Sequence, residues 1–170
     1  MRLLRLLLCG LCILVLLLAA FPAHFSAKAA PRNAVPSDVC SLLTADQLKK
    51  TLGVTFGAPQ KSVFPAVYMG QSDGTQCNYE AGRTGVRFIF YSDHSAAEAK
   101  QTFTSLIGFF PAKSKPAGIG DDAYLDSDHA LHVLKGNYRF FISVSGPSSL
   151  SDATAEKDEE DLAKAVAAQL

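Results

Sequence analysis

Residues 130–145 read Ala-Leu-His-Val-Leu-Lys-Gly-Asn-Tyr-Arg-Phe-Phe-Ile-Ser-Val-Ser, and this stretch decides the fold. Gly136-Asn137 is a two-residue turn signal, because Gly and Asn tolerate the positive φ that a tight hairpin needs. On its far side Tyr138, Phe140, Ile142 and Val144 alternate with more polar residues, so Tyr138–Ser145 is a strand with one strongly apolar face. Ala130–Lys135 is its partner. Just upstream, Ala123–Leu125 supplies a third strand. Further back, Val86–Ser92 places Val86, Phe88 and Phe90 on one side and Ile89 and Tyr91 on the other. A strand apolar on both faces is central, or has its second face covered. Ala81-Gly82-Arg83-Thr84-Gly85 links it to a shorter strand, Cys77–Glu80, in a hairpin-like connection.

Helices are expected on either side of these strands. Ser37-Asp38 precedes a helical turn with Val39, Cys40, Leu42 and Leu43. Thr44 then restarts a helix to Leu52: Gln47 completes a capping box, and Gly53 supplies the left-handed stop. Ser95 and Glu98 form a second box, followed by an apolar stripe at Ala99, Phe103, Leu106, Ile107 and Phe110 that Pro111 ends. Glu156, Asp158, Glu159, Glu160 and Asp161 lead a last helix through Ala168, where acids suit the positive end of the helix dipole. The segment Val54–Gln76 is rich in Gly and Pro and reads as a short strand at Val54–Phe56 and then a long loop. Lys113–Gly120 reads as a connection. The sum is an α+β domain spanning 37–170: an antiparallel sheet of five to six strands, with helices packed mainly on one face. The order suggests an αβββ-αβββ-α duplication, though no residue-level repeat accompanies it.

Residues 1–29 carry the features of a secretory signal peptide. Arg2 and Arg5 precede a Leu-rich run through Ala20, and Ala27-Lys28-Ala29 offers small residues at the positions a signal peptidase reads. Cleavage is expected after Ala29, with Ala20 as the second site. The alternative, an uncleaved anchor from Leu6 to Phe25, has the length of a membrane span but is interrupted by Pro22 and His24. Cys9 and Cys12 both follow Leu, where lipidation calls for a small residue. Residues 30–36 form a polar lead-in. The expected location is therefore periplasmic or secreted, with no stable membrane anchor once the signal is removed.

Cleavage changes the arithmetic. The whole chain balances 16 basic against 16 acidic residues. Arg2, Arg5 and Lys28 leave with the leader, so thirteen bases face sixteen acids in what remains. A mildly acidic domain without a Lys/Arg block is not built for nucleic acid. Four cysteines become two, Cys40 and Cys77, which in an exported domain most simply form one disulfide. A free thiol or a metal-ligand pair is the alternative, and neither cysteine has a supporting Cys or His nearby in the sequence.

Three groups of residues invite chemistry. Gly70-Gln71-Ser72-Asp73-Gly74 matches the G-x-S-x-G nucleophile string, but that mechanism needs a strand before the serine and a helix after it, and the exit here reads into a strand. Asp126, Asp128, His129 and His132 form the densest ligand-like set. In an extended chain His129 and His132 point to opposite faces, so only one of them can join a metal site with the acids. Asp121-Asp122 is a paired carboxylate whose members also point apart. No catalytic constellation and no cofactor emerge.

Cys40-Ser41-Leu42-Leu43-Thr44 leading to Leu52-Gly53, then Cys77-Asn78-Tyr79, then Gly118-Ile119-Gly120-Asp121-Asp122-Ala123-Tyr124, occur in an informative order. The chain resembles a group of uncharacterised exported bacterial domains, related to a lipoprotein family of unknown function with C-x-L-L-T…L-G and G-x-G-D-x-A-Y segments. The resemblance covers most of residues 38–145. It implies that Cys40 pairs with Cys77 in an α+β domain with no assigned enzymatic activity. The absence of a lipobox departs from the lipoprotein members. The expected function is non-enzymatic binding of a protein partner or small ligand in the cell envelope. Its candidate contacts are Phe64, Tyr68, Ile89, Tyr91 and Phe141, on the second sheet face and the aromatic loop that also holds Val67 and Met69. The alternatives are a metal site around Asp126, Asp128 and His129, and a serine hydrolase through Ser72.

Overall fold

In the computed structural model, described for residues 37–66, 72–146 and 151–170, seven strands form one fully antiparallel sheet. The strands are β1 (Gln60–Phe64), β2 (Gly74–Ala81), β3 (Thr84–Ser92), β4 (Ala112–Ser114), β5 (Asp122–Asp126), β6 (Leu131–Lys135) and β7 (Tyr138–Ser145). Their order across the sheet is β1-β2-β3-β7-β6-β5-β4. The leader, the lead-in, Tyr68 with its neighbours Val67 and Met69, and Gly70-Gln71 of the serine string lie outside the described residues.

The hairpin read from 130–145 forms as its alternation requires: Lys135 pairs with Tyr138 and Leu131 with Ile142. β3 takes its central place against β7, with Val86 opposite Val144 and Phe90 opposite Phe140. A short 3-10 helix (Val39–Leu42) precedes α1 (Ala45–Leu52), α2 (Ala96–Leu106) and α3 (Asp152–Ala167). In α1 the capping box is complete: Thr44 Oγ1 accepts from the Gln47 N–H, and Gln47 Oε1 accepts from the Thr44 N–H. Gly53 closes the helix at φ 72°.

Val86, Phe88, Phe90, Phe140 and Ile142 of the sheet, Leu42, Leu43 and Leu48 of the first helical segment, and Leu162, Ala163 and Val166 of α3 make the main core. Expectation and structure agree there: the 3-10 helix, α1 and α3 share one face. α2 does not. Its Ala99 and Phe103 pack with Tyr124 and Leu134 on the opposite side, because those residues alternate with the core-facing ones along β5 and β6.

Three local readings need correction. The sheet has seven strands, and four of them follow α2, so an αβββ-αβββ-α repeat does not hold strand for strand. Val54–Phe56 is not a strand; Phe56 is buried in the core from a loop, and the first strand begins at Gln60. α2 stops at Leu106, before Pro111: Gly108 interrupts it, and the N–H groups of Phe109 and Phe110 turn back to the Leu106 carbonyl.

Cys40 and Cys77 are joined in a disulfide that ties the 3-10 helix to β2. Beside it the buried Tyr79 hydroxyl donates to the Cys40 carbonyl at 2.7 Å, and desolvation pushes this phenol well above its ordinary range. Closing a loop of this length stabilises the fold by roughly 4 kcal/mol in the chain-entropy model.

The Gly118-Ile119-Gly120-Asp121 segment also has a structural explanation. Gly120 has φ 61°, and a Cβ there would lie 2.4 Å from the Leu134 carbonyl oxygen. That close approach lets Asp121 reach the β6–β7 turn, where its Oδ2 accepts the Gly136 N–H at 2.7 Å and its Oδ1 meets Lys135 Nζ at 3.0 Å. These contacts, the backbone N–H first, hold the Asp121 carboxyl below its usual range. Asp122 is separate and its Oδ1 accepts from the N–H of Ala123. The pair of carboxylates is thus a turn clamp and a strand start.

Candidate functional site

The second face of the sheet is divided by α2. In the covered part, Arg139 of β7 donates through Nε and Nη2 to the two Asp93 carboxylate oxygens at 2.6 and 2.9 Å, and both residues are buried. Asp93 is held just past β3, where its N–H bonds the Asn137 carbonyl in the hairpin turn. Arg139 also lies over the Tyr91 ring, 4.7 Å from its centroid. Burial pushes the Tyr91 phenol up to about 12, against the opposing Arg139 charge.

A second buried pair lies on the same face. His132 Nε2 is 2.8 Å from Asp126 Oδ2, and Asp126 Oδ1 accepts the N–H groups of Asp128 and Ala130. Burial pushes the Asp126 carboxyl up, but the His132 bond and the two backbone donors outweigh it and hold it below its usual range. The His132 ring stacks on Tyr124 at 4.6 Å, with 4° between the planes. Between α2 and this network there is a cavity of about 30 Å³, bordered by Tyr91, Phe103, Leu106, His132, Arg139 and Phe141. That is room for a water molecule and not for an organic ligand. In the covered half the charged groups are paired, Arg139 with Asp93 and His132 with Asp126.

The other half is open. Asn78, Glu80, Gly85, Arg87, Ser143 and Ser145 line a trough of about 320 Å³ across β2, β3 and β7. This volume falls in the range of small-molecule sites. Register places Asn78, Arg87 and Ser143 abreast on three adjacent strands. Arg87 is exposed, its guanidinium carbon lies 5.3 Å from the Phe141 ring centroid, and it makes no ion pair among the described residues. Gln76 Nε2 donates to Asn78 Oδ1 at 3.1 Å, which leaves the Asn78 NH₂ group as the outward donor.

The structure brings the expected contacts Ile89, Tyr91 and Phe141 onto this one face, with Phe64 at its edge. Phe64 meets Tyr91 edge-on at 6.5 Å. Ile89 is fully buried, and Phe141 is half-buried between Arg87 and His132, bordering the trough. Tyr68 lies outside the described residues. Sequence reasoning missed Arg87, Asn78, Ser143 and Ser145; their signal was the polar half of the alternation in β2, β3 and β7.

Asp126 and His129 do not converge. His129 adopts φ 57° and turns its ring to α3, with Nδ1 3.5 Å from Glu156 Oε1 and Nε2 3.8 Å from Asp152 Oδ2. Among the described residues no group of three or more His, Cys, Asp or Glu side chains stands close enough to hold a metal ion. At Ser72 the nucleophile elbow is missing, because Gly74 opens β2 and not a helix, and Asp73 Oδ1 accepts the Ala66 N–H. Among the described residues no helix is long and apolar enough to cross a membrane. Comparison with family models, curated proteins and solved structures finds no match.

Proposed function

We propose that the protein is an exported, non-enzymatic binding domain that takes a small polar ligand on the open half of its second sheet face. The observation that carries this reading is the trough beside Phe141, where Asn78, Arg87 and Ser143 stand abreast on three adjacent strands and Arg87 makes no ion pair among the described residues. Polar groups on a rigid sheet are preorganised, so binding costs little side-chain ordering. Export is supported by the leader at residues 1–29 and by the Cys40–Cys77 disulfide, which suits an oxidising compartment. The resemblance of residues 38–145 to exported bacterial domains is in keeping with both.

The test of binding is a nitrogen-15 amide spectrum of the purified protein, recorded against a library of small polar compounds. Signals of Asn78, Arg87, Ser143 and Ser145 are expected to move together with at least one compound; a library that moves only signals elsewhere refutes the site. Export is checked by expressing the full chain in a bacterial host and reading the amino terminus of the product, expected at Ala30. Full-length protein retained in the cytoplasm would contradict it.

A further inference from the structure

We infer that the ligand of this trough carries a carboxylate, seated on Arg87 and flanked by the Asn78 amide and the Ser143 hydroxyl. The inference rests on the reading of the trough as a binding site and names the chemistry it selects. Two arginines lie on this sheet face, and they differ in what they are free to do. Arg139 is buried and its Nε–Nη2 edge is taken by the two Asp93 oxygens. Arg87 is exposed, and no acid among the described residues stands within ion-pair distance of it. Phe141 supports one face of its guanidinium, which leaves the planar N–H edges outward. That is the presentation in which arginine binds a carboxylate through two parallel hydrogen bonds.

The neighbours complete the arrangement. Asn78 and Ser143 are the direct cross-strand partners of Arg87, so donors stand on each side of it at about the 4.8 Å strand spacing. The Asn78 oxygen is already occupied by Gln76, so its NH₂ group faces the ligand. Ser145 closes the end of the trough on β7, where its hydroxyl donates to the Gly85 carbonyl. Glu80, exposed on the rim, is the one acid lining the trough among the described residues. It repels polyanions, which favours a single carboxylate over a polyphosphate.

The probes are N-acetylalanine, its neutral amide, and inorganic phosphate, each titrated into the nitrogen-15-labelled protein. N-acetylalanine is expected to shift the Asn78 and Ser143 amides and the Arg87 Nε–H at millimolar concentration, and the amide to leave them in place. Arg87→Gln should weaken the response at least about tenfold, the loss of one charge-assisted hydrogen-bond pair. Arg87→Lys, which keeps the charge but loses the fork, should weaken it by less. An equal response to acid and amide, a response to phosphate alone, or unchanged binding in Arg87→Gln would overturn the inference. If a neutral compound moves these signals while the carboxylate does not, the carboxylate is wrong and the trough stands. If nothing moves them, both fail. Arg87 is exposed, so its variants are expected to keep the wild-type spectrum away from the trough, and Ser143→Ala provides a second variant on the same site.

Discussion

Glu159 carries the sharpest test of the core. It is fully buried on α3, and its Oε1 accepts the Val144 N–H at 2.8 Å. β6 pairs with β7 only as far as Ile142, so Val144 lies past its end, and the carboxyl takes the place of a strand. Oε2 has no partner. Burial raises the pKa from 4.5 to about 8, opposed by the Val144 N–H and reinforced by Asp126, Glu156 and Asp158. Between these two values the folded protein holds a proton that the unfolded chain has released. Stability is therefore full below pH 4.5, falls as pH rises toward 8, and is level above it. At about 1.4 kcal/mol per pH unit, the loss across this window is on the order of 3–5 kcal/mol. Glu159→Gln keeps the acceptor for Val144 and cannot ionise. It adds one unsatisfied N–H, which costs about 1 kcal/mol. The variant should be slightly less stable than wild type at pH 5 and more stable by roughly 2–4 kcal/mol at pH 8.5. Urea unfolding followed by circular dichroism across this range measures the difference, and subtraction removes the groups common to both proteins. Asp121 and Asp126, whose pKa values are lowered, act in the opposite sense and only at lower pH. A difference between the two proteins that stays constant from pH 5 to 8.5 would refute the reasoning.

Replacing Cys40 and Cys77 together with serine should lower stability by roughly 4 kcal/mol, and intact mass before and after reduction checks that the native pair is bonded. Gly120→Ala places a methyl against the Leu134 carbonyl in a left-handed backbone; about 2–4 kcal/mol should be lost, read as a lower denaturation midpoint. Asp93→Asn leaves the buried Arg139 charge without its counter-ion and should cost about 3–5 kcal/mol, measured the same way. Tyr124→Phe removes a buried hydroxyl that has no hydrogen-bond partner among the described residues, so stability is expected to hold or rise; a loss above about 1 kcal/mol would mean that the hydroxyl has a partner.

The elements legible in the sequence are those whose local chemistry and burial agree. The β6–β7 hairpin combined a Gly-Asn turn with strict alternation, and α1 carried a reciprocal cap and a glycine stop. β1 was misplaced because Gln60-Lys61-Ser62-Val63 is an exposed edge with no apolar rhythm, whereas the apolar Val54 and Phe56 nearby pack as loop. β4 is three exposed residues among lysines and prolines and offers no pattern at all. For the site, His129 and His132 are set apart by the β5–β6 turn, where His129 takes φ 57°, and not by strand alternation; their partners depend on tertiary distance: Asp126 for His132, the start of α3 for His129. Arg87 was passed over because a polar residue in a strand becomes informative only when the register shows what stands beside it.

The central seam of the sheet also sets an order of assembly. β1, β2 and β3 form a meander that ends at Ser92 and is tied to the 3-10 helix by a disulfide spanning 37 residues. The seam itself needs β7, which pairs Gly85 with Ser145. On the core face the pairing is more distant still: Gln169 donates to the Leu42 carbonyl across 127 positions. A chain emerging amino terminus first exposes the inner edge of β3 until β7 arrives. Such distant pairings form slowly. The same topology that makes the sheet continuous thus leaves the emerging chain vulnerable to edge pairing with other chains until β7 has joined β3.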